Sequence, residues 1–164
     1  MTNTLSKIKF EFDSLNFQFM DIGGKTFNQI SKSEKILETS KGKLVIYVIS
    51  LSEYNQNSLK NEGKTRMDDS LELFEKLISM KCLEDLPWLI LFNKVDVFES
   101  KLDRFDLKYY FQYFQQEVDK PIEFVTQKFL SKAKNLNYEY EIICAFDQNS
   151  IVNIIQKMEE KLNV

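Results

Sequence analysis

Histidine is absent from this 164-residue chain. Its absence removes histidine-based triads, imidazole metal ligands and any switch that titrates near neutral pH. Cysteine is scarce: Cys82 and Cys144 stand alone in ordinary sequence with no secretory signal, and read as reduced, intracellular thiols. Four glycines and two prolines supply no linker that would mark a second domain, and no internal repeat is visible. Neither sign of charge dominates: 22 basic against 25 acidic residues give a net charge of -3 with no basic stripe, which argues against nucleic acid as a partner. The longest apolar run, Leu44 to Leu51, falls far short of the ~20 residues that span a bilayer. The N-terminus lacks the apolar core of a signal peptide, and Thr2 occupies the position where myristoylation requires glycine. A soluble, cytoplasmic protein without a membrane segment is expected. At 43% hydrophobic, the chain suits one domain over residues 1–164 that buries roughly 70% of its unfolded surface.

What is present alternates between two periodicities. Lys7 to Phe12 and Phe17 to Met20 alternate polar and apolar residues on either side of "DSLN", predicting an antiparallel hairpin. "LVIYVIS" (Leu44 to Ser50), "WLILF" (Trp88 to Phe92) and "YEYEIIC" (Tyr138 to Cys144) predict strands. Between them, Met67, Leu71, Phe74, Leu77 and Ile78 form one stripe of a helix, with Asp68 and Asp69 near its positive end. Phe105 to Val118 and Phe124 to Leu136 predict two more helices, the first with Tyr109, Tyr110, Phe111, Tyr113 and Phe114 in the core. A last helix, capped by Asn149 or Ser150, uses Ile151, Ile154, Ile155, Met158 and Leu162. Strands separated by helices predict an α/β fold whose sheet is mostly parallel after the opening hairpin.

In such sheets ligands bind beyond the carboxyl ends of the strands, and three short motifs lie there. Asp21-Ile22-Gly23-Gly24 offers a carboxylate able to hold Mg²⁺ through water, then glycines whose N–H groups can approach a terminal phosphate. The bland alternative is a glycine turn. Asn93-Lys94-Val95-Asp96 follows "WLILF" directly. A carboxylate edge-on to guanine accepts from both the ring N–H and the exocyclic amine, a pattern adenine lacks. Asn93 can brace the loop and the Lys94 stem can cover the base; a polar turn is the alternative. In Cys144-Ala145, a small residue lets a backbone N–H reach the base oxygen, although alanine after a buried strand is common.

The order and spacing of these motifs resemble the heterotrimeric G-protein alpha subunit family. So do "SLSEYNQ", "RMDDSLELFEKL", "WLILFNKVDVFESKL" and "CAFDQNSIVNII", which extend the resemblance over nearly the whole chain from Lys7. The resemblance implies an incomplete Ras-like P-loop GTPase fold, binding of GTP or GDP with Mg²⁺ at Asp21, slow hydrolysis, and beta-gamma, receptor and effector partners. Its nucleotide-binding positions are Asp21, Ile22, Gly23, Gly24, Lys25, Asn93, Lys94, Val95, Asp96 and Ala145.

The departures are as specific as the matches. Lys25 replaces the glutamine that orients the attacking water; an ammonium only donates, so it can bind phosphate oxygen but cannot accept a proton. The basic run expected next is replaced by "TFNQISKSEKILETSKG", which weakens the case for beta-gamma contact. Nothing matches G-x-x-x-x-G-K-[ST], the first-switch threonine segment, the catalytic arginine or the helical domain, so the resemblance is to the C-terminal half. The strand that leads into the P-loop is also unmatched, which predicts marginal stability or association. Leu162-Asn163-Val164 ends roughly two helical turns before the family's receptor-contacting tail. Three readings stay open: a degenerate, non-hydrolysing alpha-like signalling protein; a GTPase whose P-loop half is supplied upstream or in trans; and a non-enzymatic decoy for G-protein partners.

Overall fold

The computed structural model describes residues 6–12, 15–21, 37–38, 42–111, 113–115 and 120–162. It divides into two compact units, Met1–Lys41 and Gly42–Val164. In the first, β1 (Ser6–Phe12) and β2 (Leu15–Asp21) pair antiparallel from Ser6 opposite Asp21 to Phe12 opposite Leu15. This register places Ile8 opposite Phe19 and Phe10 opposite Phe17, while Lys7, Lys9 and Glu11 face polar residues or Met20. Because side chains alternate along a strand, one side of the hairpin is apolar. The hairpin agrees with the alternation in the sequence, except that β2 begins two residues earlier.

The second unit is a parallel α/β layer in which β3 (Val45–Ser50), β4 (Trp88–Asn93) and β5 (Tyr138–Ile143) lie side by side in chain order. β4 is central, and its residues Trp88 to Phe92 are all buried. A strand covered on both faces has no use for alternation, which explains the unbroken apolar run. One face is closed by α1 (Arg66–Ile78) and, after α2 (Val95–Leu102), by α3 (Pro121–Leu130). At its centre, the Phe74 ring lies 5.1 Å from Tyr47, 6.0 Å from Trp88 and 5.8 Å from Phe129. Burial raises the Tyr47 hydroxyl to about 12, and it donates to the Ser70 carbonyl at 2.8 Å.

α4 (Gln148–Leu162) is tied to the other face through β5. Lys157 Nζ reaches Glu139 at 2.9 Å and Glu141 at 3.0 Å, and Lys161 Nζ reaches Glu139 at 3.1 Å. Hydrogen bonds from Lys157 and then Lys161 hold the Glu139 carboxyl below the ordinary glutamate range. Folding therefore favours the ionised form, so this stabilisation is complete above the ordinary range and is lost as pH falls through the depressed value. Urea midpoints measured from about pH 6 to about pH 3 should fall less steeply for Glu139→Gln than for the unaltered chain.

Several predicted elements need correction. Across Phe105 to Val118, the described residues contain a short 3-10 helix, Leu107–Tyr109, and a turn closed by the Phe114 N–H on the Phe111 carbonyl at 3.0 Å, in place of an α-helix. Asp106 accepts the Lys108 N–H at 3.0 Å, the kind of local bond that competes with helical pairing. Leu107, Phe111 and Phe114 are buried, but Tyr109 and Tyr113 are largely exposed and do not belong to the core. α3 starts at Pro121, whose missing N–H costs nothing at a first helical position, and ends at Leu130 rather than continuing to Leu136. The last helix is anchored by Asp147, not by Asn149 or Ser150. The Asp147 carboxylate accepts from both of their backbone N–H groups and from the Ser150 hydroxyl, which hold its carboxyl below the usual range.

Candidate functional site

Parallel pairing sets Asn93 opposite Ile143, so the segments after β4 and β5 leave the sheet as neighbours. They are joined by one side chain. Asn93 Oδ1 accepts the Lys94 N–H at 2.7 Å and the Ala145 N–H at 3.1 Å. Serine or alanine in place of Asn93 could not span the two segments, because only the carboxamide carries an acceptor that far from the strand.

Lys94 then takes the left-handed conformation, with φ 65° and ψ 41°, and is the only non-glycine residue at positive φ among the described residues. That conformation costs an ordinary L-residue about 1–2 kcal/mol. It reverses the chain so that α2 can begin at Val95. A polar turn is the sequence's alternative for Asn93 to Asp96; instead Val95–Leu102 form this helix, and Asp96 lies in its first turn. Asp96 is exposed and its carboxylate accepts no hydrogen bond from the described residues, so two acceptor atoms remain available beside Lys94. On the β5 side, the Asp147 N–H donates to the Cys144 carbonyl at 2.9 Å, closing a turn around Ala145 and Phe146.

Asn93, Lys94, Val95, Asp96 and Ala145 are thus gathered at one edge of the second unit. Asp21 ends β2 in the first unit, while Ile22, Gly23, Gly24 and Lys25 lie outside the described residues. Among the described residues no group of three or more histidine, cysteine or acidic side chains could hold a metal ion. Mg²⁺ commonly takes one or two carboxylates together with substrate phosphates, so its retention would depend on phosphate being held as well.

Sequence reasoning missed the support beneath this edge. From α2, Lys101 Nζ donates to the Ser52 carbonyl at 2.8 Å and to Asn55 Oδ1 at 3.0 Å. Tyr54, fully buried, donates its hydroxyl to the Phe105 carbonyl at 2.7 Å. Burial is the main cause that raises this hydroxyl to about 12, so it remains a donor at ordinary pH. Both contacts join the segment after β3 to the end of α2. The signal in sequence was indirect: a lysine on the last turn of a helix whose existence had not been recognised.

Fold and site define a class, that of α/β proteins with polar loops gathered beyond the carboxyl ends of a parallel sheet. Comparison with known proteins makes the assignment specific: residues 1–162 match the family described as G-protein alpha subunit, and the chain belongs to that family. It is 27% identical over 164 residues to the guanine nucleotide-binding protein alpha-1 subunit of Saccharomyces cerevisiae, covering 97% of this chain and 34% of that protein. It is 29% identical over 155 residues to the G(o) subunit alpha of Locusta migratoria, covering 92% and 43%. With the alpha-1 subunit of Caenorhabditis briggsae, identity is 30% over 157 residues, covering 91% and 43%. The chain therefore spans well under half the length of these relatives. No helix among the described residues is long and apolar enough to cross a membrane.

Proposed function

We propose that Met1–Val164 is the guanine-recognising part of an alpha-like signalling protein that binds nucleotide weakly through the base and does not hydrolyse GTP by itself. The observation that carries this reading is the Asn93 latch, which sets Ala145 beside a motif whose Asp96 carboxylate is free. Lys25 supports the second half of the reading: at the position of the family's water-orienting glutamine it supplies a donor where an acceptor is needed. Base recognition alone supports binding near millimolar, about −4 kcal/mol. Partners such as beta-gamma, a receptor or an effector, and a peripheral place at the membrane through them, belong to the same proposal.

Calorimetric titration with GDP and with a non-hydrolysable GTP analogue in Mg²⁺ tests it. Matched, weak guanine-dependent binding with no phosphate release from GTP is the expected result. Micromolar binding that depends on phosphate number, or turnover above background, would refute it.

A second reading has its own observation. Among the described residues β3 pairs with β4 alone, which leaves its other edge without a strand. An open edge of this kind accepts another strand. A P-loop half supplied upstream or in trans would pair with this strand and bring the phosphate donors. Under this reading, adding a separately produced P-loop fragment should raise affinity for GDP far above that for guanosine. No gain on its addition would remove the reading.

A further inference from the structure

We propose that Phe146 provides a stacking face for the purine ring at the Asn93–Ala145 edge; the role rests on the guanine reading of Asp96 given above. Phe146 is 96% exposed, more than any other large hydrophobic residue among those described. Its backbone, by contrast, is held on both sides. The Ala145 N–H is fixed to Asn93 at 3.1 Å, the Asp147 N–H to the Cys144 carbonyl at 2.9 Å, and the Asp147 carboxylate to the first turn of α4. The backbone beneath this unburied ring is thus held in place, and only the side-chain torsions are left to order when it meets a flat partner.

The position of the mount suggests the partner. Phe146 immediately follows Ala145 on one segment, and the exposed Lys94 immediately follows Asn93 on the neighbouring one; the latch joins the two. Strands in a sheet lie about 4.8 Å apart, so these segments are close enough for one base to touch both. A base whose edge is turned to Asp96 leaves its two π faces uncovered. The apolar stem and ammonium of Lys94 suit one face, and the Phe146 ring suits the other. Edge and face then contribute separately: Asp96 selects guanine among purines, whereas Phe146 strengthens binding without changing that choice.

The test uses the full chain with GMP as the probe, followed by NMR. Phe146→Ala should weaken GMP binding about tenfold, and the upfield shift of the base H8 resonance seen on binding should vanish. Phe146→Leu, apolar but without a π face, should also lose that shift. Phe146→Trp should keep the affinity and show emission quenched by GMP. Asp96→Asn separates the two ideas, since it should abolish GMP binding whatever the ring does. If Phe146→Ala binds GMP within about twofold of the unaltered chain while Asp96→Asn does not bind, the stacking role is overturned and the guanine reading stands. If the folded, unaltered chain binds no GMP into the millimolar range, both fall together.

Discussion

Phe74→Ala is expected to destabilise the chain by about 3–5 kcal/mol, the usual cost of emptying a phenylalanine site in a close-packed core. Total stability for a domain is only about 5–15 kcal/mol, so the variant should be largely or partly unfolded at 37 °C. The size of the effect follows from position. Phe74 is fully buried and, among the described residues, is the one ring that touches β3 through Tyr47, β4 through Trp88 and α3 through Phe129. Removing it leaves a cavity that no single neighbour can fill without abandoning another. Trp88, the only tryptophan in the chain, is in ring contact with Phe74 and serves as the probe. Its emission should move to the red, and the urea midpoint should drop sharply. Tyr113→Ala, at an 81% exposed site, is the control and should change stability by no more than about 0.5 kcal/mol. Equal midpoints for the two variants would show that the core is not organised around Phe74.

Asp96→Asn should reverse the base preference. The carboxylate presents two acceptors to the ring N–H and the exocyclic amine of guanine; asparagine presents one acceptor and one donor, so the amine meets an amide N–H. Sites built on hydrogen bonds commonly reject such a mismatch by about 10⁴-fold, which from a millimolar start means no detectable guanine binding. Xanthine carries a carbonyl where guanine carries the amine and matches the new pair. Titration of both proteins with GDP and with xanthosine diphosphate measures the exchange. The fold should be spared, since Asp96 is exposed and its loss removes only a helix-dipole contribution of about 0.3–1 kcal/mol. Unchanged GDP binding by Asp96→Asn would mean that the Asn93 to Asp96 segment does not read the base.

The strands were legible because burial on one or both faces is written directly into periodicity. The hairpin alternates, β4 is apolar from Trp88 to Phe92, and both signals survive without knowledge of any distant residue. α1 was legible for the same reason, although its cap was not recognised: Thr65 accepts the Asp68 N–H while the Asp68 carboxylate accepts the Thr65 N–H. Elsewhere local chemistry outweighed pattern. A dense aromatic run between Phe105 and Phe114 suggested a buried helix, but the bond from Asp106 to the next turn and the packing of Phe111 and Phe114 on Phe124 favour a tight turn that leaves Tyr109 and Tyr113 in solvent. α2 was hidden because its start depends on a lysine in a left-handed conformation, which composition does not announce. At the site, residue identities were readable and their connection was not. That Asn93 serves both segments follows only from the parallel pairing of β4 with β5.

The Asn93 latch sets a ceiling on what Ala145 can contribute. Its N–H is engaged by Asn93 at 3.1 Å, so under the proposed reading a base carbonyl oxygen would replace a partner rather than satisfy an empty donor. Such an exchange is nearly isoenthalpic, and its net worth is the small difference between two similar bonds. The same bond keeps the segments after β4 and β5 in register. Preparedness and affinity are traded against each other at a single amide proton.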